Sequence, residues 1–280
     1  MILSRRLLLA GALPLHAASK PRVVFVCGDH EYSGESTMPL VASALDRSGA
    51  FRCTVLSAKP DQNAEENIPG LEALDKADLA VFFLRWRRLP ERQLRHIEKY
   101  VNSGRPVFGF RTSSHSFNYP RGHRFEEWNR FATHVFGAPP GWGGDGHSHY
   151  GHKSSTDVAI IPDAARHPIL RGVPEKFHVP SWLYRVLPKW PPPTAEQLLM
   201  GTSVNPNKPA EPNPVAWTWK NSHAARVFFT TLGHPGDFAL EPVQRLTWNA
   251  VHWCLQLRGK WPGPLDIQVP YRGIVSTKGA

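Results

Sequence analysis

The sequence predicts an α/β protein whose doubly wound, mainly parallel sheet is flanked by helices. Three kinds of observation predict it: apolar runs of strand length, amphipathic helical segments between them, and polar residues directly after the runs. Residues 22–27 form a continuous apolar run ending in Gly28-Asp29, as expected of a strand buried in a parallel sheet. The alternation of strand and helix that follows is typical of this fold class.

The first half of the chain alternates regularly. Pro90 suits the first turn of a helix, the apolar stripe of residues 90–103 has helical spacing, and Gly104 ends it. A second helix is predicted over residues 37–48, which end at Gly49. The predicted strands are residues 22–27, 51–56, 78–84 and 106–111. This succession predicts a parallel sheet with helices on both faces, as in flavodoxin-like proteins.

The second half is less regular. Residues 126–136 and 242–257 have helical periodicity, and residues 139–153 form a loop rich in glycine and histidine. Further strands are predicted over residues 157–161, 196–201, 214–220 and 225–232. The last two are expected to pair across Asn221-Ser222, so we predict an antiparallel hairpin extension near the C-terminus.

The two ends of the chain differ from the domain between them. Ser4-Arg5-Arg6-Leu7-Leu8-Leu9, a short apolar stretch and small residues at its end resemble a twin-arginine export signal. We predict an export signal over residues 1–19, one domain over residues 20–258 and an extended tail over residues 259–280. The protein is then periplasmic or secreted, and no later segment is apolar and long enough to span a membrane.

Charge and cysteine content exclude some classes. Removing Arg5 and Arg6 with the signal takes the formal net charge from +10 to +8, but the basic residues are dispersed and no nucleic-acid motif occurs. The dense cluster Arg85-Trp86-Arg87-Arg88 is either a solvated loop or a site for anions or sugars. The three cysteines are expected to be small buried hydrophobes, and a Cys27–Cys53 bridge stays open if their strands are neighbours.

Polar and titratable side chains follow four predicted strands where each strand ends. Carboxyl ends of parallel strands meet at one edge of a sheet, where open α/β sheets bind ligands. For any one residue a structural cap is the commoner role, but the set predicts one pocket at this edge. Its predicted members are His30, Glu31, Tyr32, Arg85, Trp86, Arg111, Ser113, Ser114, His115, His234 and Asp237. Repulsion between the guanidinium of Arg111 and the imidazoles should lower the histidine pKa values.

Six segments in a fixed order resemble the ThuA-like (trehalose-utilisation) family, whose fold is that of class I glutamine amidotransferases. They begin with Val24-Phe25-Val26-Cys27-Gly28-Asp29-His30-Glu31-Tyr32 and include Tyr100-Val101-Asn102-Ser103-Gly104 and residues 106–117. The remaining three are Pro214-Val215-Ala216-Trp217-Thr218, residues 226–234 and Trp248-Asn249-Ala250-Val251-His252-Trp253. The resemblance covers about residues 22–257.

The resemblance also shows what this chain lacks. Amidotransferases of this class carry a cysteine nucleophile at a sharp turn after a strand, and Arg111 stands at that place here. A guanidinium stays protonated and has no lone pair with which to attack an acyl carbon. Their His-x-Glu motif corresponds to His234-Pro235-Gly236-Asp237, which lacks an acid at the usual spacing. Glutamine hydrolysis is therefore excluded.

The family context implies a small-molecule carbohydrate as partner. The first function class is an enzyme acting on a sugar or keto-sugar by isomerisation, elimination or hydrolysis, with His234 and His115 as acid/base residues and Arg111 as polariser. Tyr184 and Trp217 join Tyr32 and Trp86 as aromatic faces for the sugar, although core packing is the commoner role of such rings. The second class is a non-catalytic carbohydrate-binding or partner-docking module on the same scaffold.

No cofactor is required by any motif, but a divalent metal is one hypothesis. Asp145, His147, His149 and His152 lie close together in the glycine-rich loop, and His115 or His234 would complete a ligand set. Imidazole and carboxylate ligands suit zinc and similar ions. The alternative is a loop whose histidines form hydrogen bonds or face solvent.

Overall fold

A computed structural model describes residues 19–143 and 146–271 of the protein. Its helices are α1 (Gly34–Arg47), α2 (Glu91–Asn102), α3 (Phe131–Phe136) and α4 (Glu241–Cys254). Its strands are β1 (Arg22–Gly28), β2 (Arg52–Ser57), β3 (Leu79–Leu84), β4 (Val107–Phe110), β5 (Ser148–His149), β6 (Ser155–Ile160), β7 (Lys176–Val179), β8 (Tyr184–Arg185), β9 (Glu196–Val204), β10 (Asn213–Lys220) and β11 (Arg226–Thr230).

Nine of the described strands form one mixed sheet with the order β2-β1-β3-β4-β11-β10-β9-β6-β7. The pairs from β2 to β11 are parallel, and those from β11 to β7 are antiparallel. The antiparallel part thus contains β6, β7 and β9 besides the β10–β11 pair, and is larger than the sequence predicted. The prediction of an α/β fold with helices flanking a large sheet is confirmed.

Two hydrophobic clusters cover the two faces of the sheet. Phe25 of β1 belongs to one cluster, with apolar residues of α1 and α4, whereas its neighbours Val24 and Val26 belong to the other, with residues of α2 and α3. Successive side chains of a strand point to opposite faces, so the nearly continuous apolar run of β1 is explained by burial on both sides.

The predicted helix over residues 126–136 begins as a 3₁₀ helix, Glu126–Arg130, before α3. The short strands β5, β7 and β8 were not predicted, because runs of two to four residues carry little periodic signal. All three cysteines are free thiols: β1 and β2 are neighbours, but Cys53 pairs with Val23 and Cys27 with Ser57. Among the described residues, no helix is long and apolar enough to cross a membrane.

Candidate functional site

The chain turns sharply after β4, and Arg111 occupies the turn. Its φ of +34° is in the left-handed region, which non-glycine residues seldom adopt. A short 3₁₀ helix, Arg111–His115, follows. The turn after β11 approaches it so closely that a Cβ on Gly233, whose φ is +150°, would lie 3.1 Å from Cβ of Arg111. Two strand ends predicted to share an edge therefore touch.

The side chain of Arg111 is fully buried and folds into the protein. Its Nη1 donates to the carbonyl oxygens of Thr231 at 2.7 Å and Trp182 at 3.3 Å, and its Nη2 donates to the Tyr32 hydroxyl at 3.1 Å. The guanidinium carbon lies 4.4 Å from the ring centroids of both Tyr32 and Tyr184. The sequence predicted that Arg111 polarises a substrate, but most of its donors are already used within the fold.

Aromatic rings surround this guanidinium, and we call the group the Arg111 cluster. Tyr271 belongs to the predicted tail, and its ring centroid lies 4.5 Å from that of His234 and 6.0 Å from that of Tyr32, on which it stacks. The cluster consists of Arg111, Tyr32, Trp182, Tyr184, His234 and Tyr271. Tyr271 thus packs on the rings of Tyr32 and His234 at this edge of the sheet.

Asp237 holds the turn after β11 together. Its buried carboxylate accepts hydrogen bonds from the Ser181 hydroxyl at 2.5 Å and from the backbone N–H groups of Ser181, Gly233 and His234. A carboxylate with this many donors is occupied without a ligand. Asp237 was predicted to bind substrate, but the structure turns its carboxylate inward, where it caps the 3₁₀ helix Pro235–Ala239.

His234 is the N-cap residue of that 3₁₀ helix. Its Nδ1 lies 3.1 Å from the backbone N–H of Gly236, which can only donate, so Nδ1 accepts. In the neutral ring the proton is then on Nε2, which makes Nε2 a donor and not a base. The sequence prediction that His234 takes protons as a neutral base therefore needs correcting: in this arrangement it can supply an N–H to a ligand.

The loop after β1 places His30 between two arginines. Arg85 Nη1 lies 2.6 Å from Nε2 and Arg87 Nη2 lies 2.5 Å from Nδ1 of this ring. A neutral imidazole has one accepting nitrogen and guanidinium groups only donate, so His30 satisfies one of the two arginines. Glu31 offsets part of this positive charge, since its carboxylate lies 2.7 Å from Arg85 Nε.

The third group is a histidine cluster formed by Ser114, His115 and His147. The Ser114 hydroxyl lies 2.9 Å from Nδ1 of His115 and 3.4 Å from Nδ1 of His147. The two imidazole centroids are 5.1 Å apart, and His147 stacks at 4.1 Å on Tyr184, which connects this cluster to the Arg111 cluster. All three members are buried, and Nε2 of His147 has no hydrogen-bond partner in the described part of the chain.

One cavity is lined by His147 of the histidine cluster, and a second is lined by Trp86, which packs against His115. Trp86, whose ring centroid is 6.2 Å from that of His115 and 6.1 Å from that of His30, lines a groove of about 620 Å³ with Asn63 and Glu65. His147 lines a cavity of about 280 Å³ whose wall includes the basic residues Arg185 and Lys189.

Burial keeps the imidazoles of these clusters neutral. It is the largest cause that lowers the pKa of His30 to about 3, of His147 to about 3 and of His234 to about 4. The pKa of His115 is also held well below its ordinary value, by burial first and His147 next. Repulsion from Arg111, which the sequence predicted as the cause, is a smaller effect than burial on the pKa of His234.

The predicted metal ligands do not lie together. His147 faces His115 and Tyr184, whereas the ring centroids of His149 and His152 are 4.5 Å apart and both rings contact Trp182. Within the described residues, no group of three or more His, Cys, Asp or Glu side chains is placed to hold a metal ion. Asp145 lies outside the described residues.

Two predicted residues form hydrogen bonds within the fold, and several residues of the site were not predicted. The Ser113 hydroxyl donates to the carbonyl oxygen of Phe82 and accepts from the backbone N–H of Leu84, both in β3. Trp217 is a core residue whose Nε1 donates to the carbonyl oxygen of Phe136. Sequence reasoning missed Ser181, Trp182 and Tyr271, and it included Arg87 only within the cluster Arg85-Trp86-Arg87-Arg88. Trp182 and Ser181 adjoin Tyr184 in sequence, which was a usable signal, whereas nothing in the sequence tied Tyr271 to this site.

The fold and this edge define an α/β protein with a polar, aromatic and histidine-rich site where its parallel strands end. Residues 22–254 match the ThuA family, described as trehalose utilisation, and the chain belongs to this family. A ThuA-like protein from Parabacteroides merdae is 18% identical with a TM-score of 0.63, over 91% of this chain and 98% of that one. One from Bacteroides uniformis is 16% identical with a TM-score of 0.56, over 86% and 95%. No curated protein matches the chain.

We predict that the protein releases no ammonia from glutamine. Arg111, which cannot act as a nucleophile, occupies the sharp turn after β4. Burial is the largest cause that raises the pKa of both Cys53 and Cys254 to about 12, which keeps these thiols protonated. The measurement is a coupled ammonia assay on the wild type and on a variant with all three cysteines changed to serine. Release of ammonia that disappears in the cysteine variant would show a nucleophile that the fold does not reveal.

Proposed function

We propose that the protein binds a sugar or keto-sugar in the groove beside Trp86 and transfers a proton at a carbon next to a carbonyl group, with His115 as the base. The observation that carries this proposal is the position of the Ser114 hydroxyl between the Nδ1 atoms of two buried imidazoles. A neutral imidazole has one accepting nitrogen, which is what proton abstraction by His115 requires.

The hydroxyl of Ser114 has one proton, which it donates to one ring while accepting from the other. When it donates to His147, His115 carries its proton on Nδ1 and presents Nε2 as a lone pair. Nε2 has no hydrogen-bond partner in the described part of the protein. When the hydroxyl donates instead to His115, the proton of that ring is on Nε2, so the direction in which Ser114 donates determines whether His115 can act as a base.

In the proposed step, His115 Nε2 takes a proton from the carbon beside the carbonyl. The electron pair of that C–H bond becomes the C=C bond of an enediolate, and the carbonyl electrons move to oxygen. The donors of Arg85, which His30 and Glu31 only partly satisfy, are placed to stabilise that oxygen. Return of the proton to the former carbonyl carbon, with the proton of the adjacent hydroxyl moving to the other oxygen, completes an isomerisation. Loss of a leaving group from the carbon β to the carbonyl, with re-formation of the C=O bond, completes an elimination.

A second candidate function is a carbohydrate-binding module without catalysis. A specific observation favours it: of the three residues first expected to be catalytic, Arg111 donates to Thr231, Trp182 and Tyr32, and His234 uses Nδ1 for Gly236. A protein whose Arg111 and His234 are engaged in internal hydrogen bonds can keep a ligand-binding groove and have no catalytic activity. Both candidate functions require that the protein binds a carbohydrate, but only the enzyme would convert it to a product.

The test is incubation of the purified protein with glycosides and their 3-keto derivatives in D₂O, with and without a divalent metal. We expect exchange of the proton beside the carbonyl, followed by ¹H NMR, and a loss of about 10²–10⁴-fold in its rate in His115→Ala. Ser114→Ala should retain more activity than His115→Ala, because it removes the tautomer control and leaves the base in place.

His223→Asn is the matched control, since His223 is exposed in the β10–β11 turn. Its exchange rate should equal that of the wild type. Saturable sugar binding without exchange in the wild type would establish the binding module instead. Full exchange activity in a folded His115→Ala protein would rule out His115 as the base.

We also propose that the chain is exported, on the basis of its first residues, which lie outside the described part. A fusion of residues 1–25 to a reporter should reach the periplasm, and the double change Arg5→Lys with Arg6→Lys should block that export. Fractionation of cells expressing both fusions measures it. Export of the double-lysine fusion at the wild-type level would indicate the general secretory route.

A further inference from the structure

A third cavity lies at the opposite, amino edge of the parallel strands. It has a volume of about 370 Å³ and is placed where β11 begins and α4 ends. Three arginines, Arg171, Arg226 and Arg258, line it together with Asn249 and Trp253. Among the described residues, no aspartate or glutamate lines this cavity, so its charge is uncompensated.

Arg226 is the fixed member of this set. Its guanidinium carbon lies 3.8 Å from the centroid of the Trp253 ring, which occupies one face of the guanidinium. Its Nε is buried, and no hydrogen-bond partner for it occurs in the described part of the chain. Burial also lowers the pKa of this group. Arg226 is half-buried, so its charge is only partly desolvated, and a bound anion would offset that part and give its Nε a partner.

The geometry of Arg226 limits what that anion can be. The N–H groups of a guanidinium lie in its own plane and form a fork that matches two oxygens of a phosphate or carboxylate. Because Trp253 covers one face of Arg226, an anion is expected to bind at this in-plane edge. Arg171 and Arg258 are exposed at the rim, where they add charge to the entrance. The loop that carries Arg171 is held because Asn249 Nδ2 donates to the carbonyl oxygens of Ile169 and Arg171.

We propose that this cavity binds a small oxyanion through the in-plane donors of Arg226, with Arg171 and Arg258 at its rim. The volume admits a phosphate, a phosphate monoester or a dicarboxylate, and the shared chemistry is a group with two or more oxygens on one centre. This site is independent of the sugar site, which lies at the carboxyl edge of the parallel strands. The result of a test for oxyanion binding therefore does not bear on the proposed activity towards sugars.

Isothermal titration calorimetry of the full protein tests this, with inorganic phosphate, glycerol phosphate and succinate at constant ionic strength set by chloride. We expect one saturable site for at least one of these probes, with the preferred probe identifying free phosphate, an ester or a carboxylate. Arg226→Met keeps an apolar stem on Trp253 and should weaken binding at least tenfold. Arg226→Lys, which keeps the charge without the fork, should weaken it less.

Arg121→Met, at an exposed arginine outside the cavity, is the matched control and should bind as the wild type does. If Arg226→Met fails to fold, the double variant Arg171→Gln with Arg258→Gln changes only exposed side chains and should also weaken binding. The absence of saturable binding by all three probes would overturn the proposal. Equal affinities in the wild type and in the folded Arg226 or rim variants would overturn it as well.

Discussion

Arg111→Met is expected to lower the free energy of unfolding by about 3–5 kcal/mol, because several buried polar groups lose their hydrogen-bond donor at once. The methionine fills similar space but leaves the carbonyl oxygens of Thr231 and Trp182 and the hydroxyl of Tyr32 without their donor. Each buried polar group left without a partner costs about 1–3 kcal/mol. Against a typical domain stability of about 5–15 kcal/mol, the loss is a large fraction.

Urea unfolding measures this effect through the midpoint and the slope of the transition. Arg111→Lys keeps the charge with differently directed donors, so its stability should lie between those of the wild type and Arg111→Met. The exposed substitution Arg121→Met should change stability by no more than about 0.5 kcal/mol. An Arg111→Met protein as stable as the wild type but inactive would instead support the role of Arg111 as substrate polariser, which the sequence first indicated.

Arg111 also shows where sequence reasoning reaches its limit. The run that becomes β4 and the polar residues after it are local features, so the sequence predicted correctly that Arg111 follows a buried strand. What the guanidinium does depends on oxygens that are 71 and 120 residues away, in Trp182 and Thr231. No spacing in the sequence contains that information. A role that depends on hydrogen-bond satisfaction is therefore visible only once the fold is known.

His234 is different, because its role is encoded locally. The sequence His234-Pro235-Gly236-Asp237 carries a side-chain acceptor at the N-cap and an acid three residues later, as a capping box does. Reading it as a cap would have identified both the accepting Nδ1 and the inward carboxylate of Asp237. The distant resemblance to a catalytic motif led instead to an acid/base role, which the geometry does not favour.

The histidine cluster combines both cases. Ser114 and His115 are neighbours in sequence and were predicted to lie at the sheet edge. His147 comes from a glycine-rich loop whose path has no periodic signal, and it was grouped with His149 and His152 as a metal ligand. Its stacking on Tyr184 of β8 and its distance of 3.4 Å from the Ser114 hydroxyl depend on the β5–β8 pairing, a two-residue ladder. Such short pairings are set by tertiary contacts and not by local propensity.

Lowering the pH from 7 to 5 is expected to reduce the stability of the protein. Four buried or half-buried histidines have pKa values of about 3 to 4 in the folded protein, and His115 titrates well below its ordinary range. The ordinary histidine pKa is about 6.5, so between these values the unfolded chain binds more protons than the folded one. Stability is therefore complete above about pH 6.5 and is lost as the pH falls towards the folded pKa values.

Two carboxyl groups act in the opposite direction. Burial is the main cause that raises the pKa of Asp29 to about 6, and it also raises the pKa of Asp237. Over that range the folded protein holds protons that the unfolded chain releases, which adds stability as the pH falls. Five histidines outnumber two acids, so the net slope is set by the imidazoles. The urea midpoint measured at half-unit steps from pH 7 to pH 5 should decrease steadily.

A single variant tests the origin of this slope. His147 is fully buried, and glutamine does not titrate. His147→Gln should therefore reduce, by up to one, the number of protons that the unfolded chain binds in excess of the folded protein. The slope of stability against pH should then fall by up to about 1.4 kcal/mol per pH unit, the value for one proton. His223→Gln, at an exposed position, should leave the slope unchanged. A urea midpoint that is flat from pH 7 to pH 5 in the wild type would mean that these imidazoles are solvated, and that the histidine cluster lacks the neutral base on which the proposed chemistry depends.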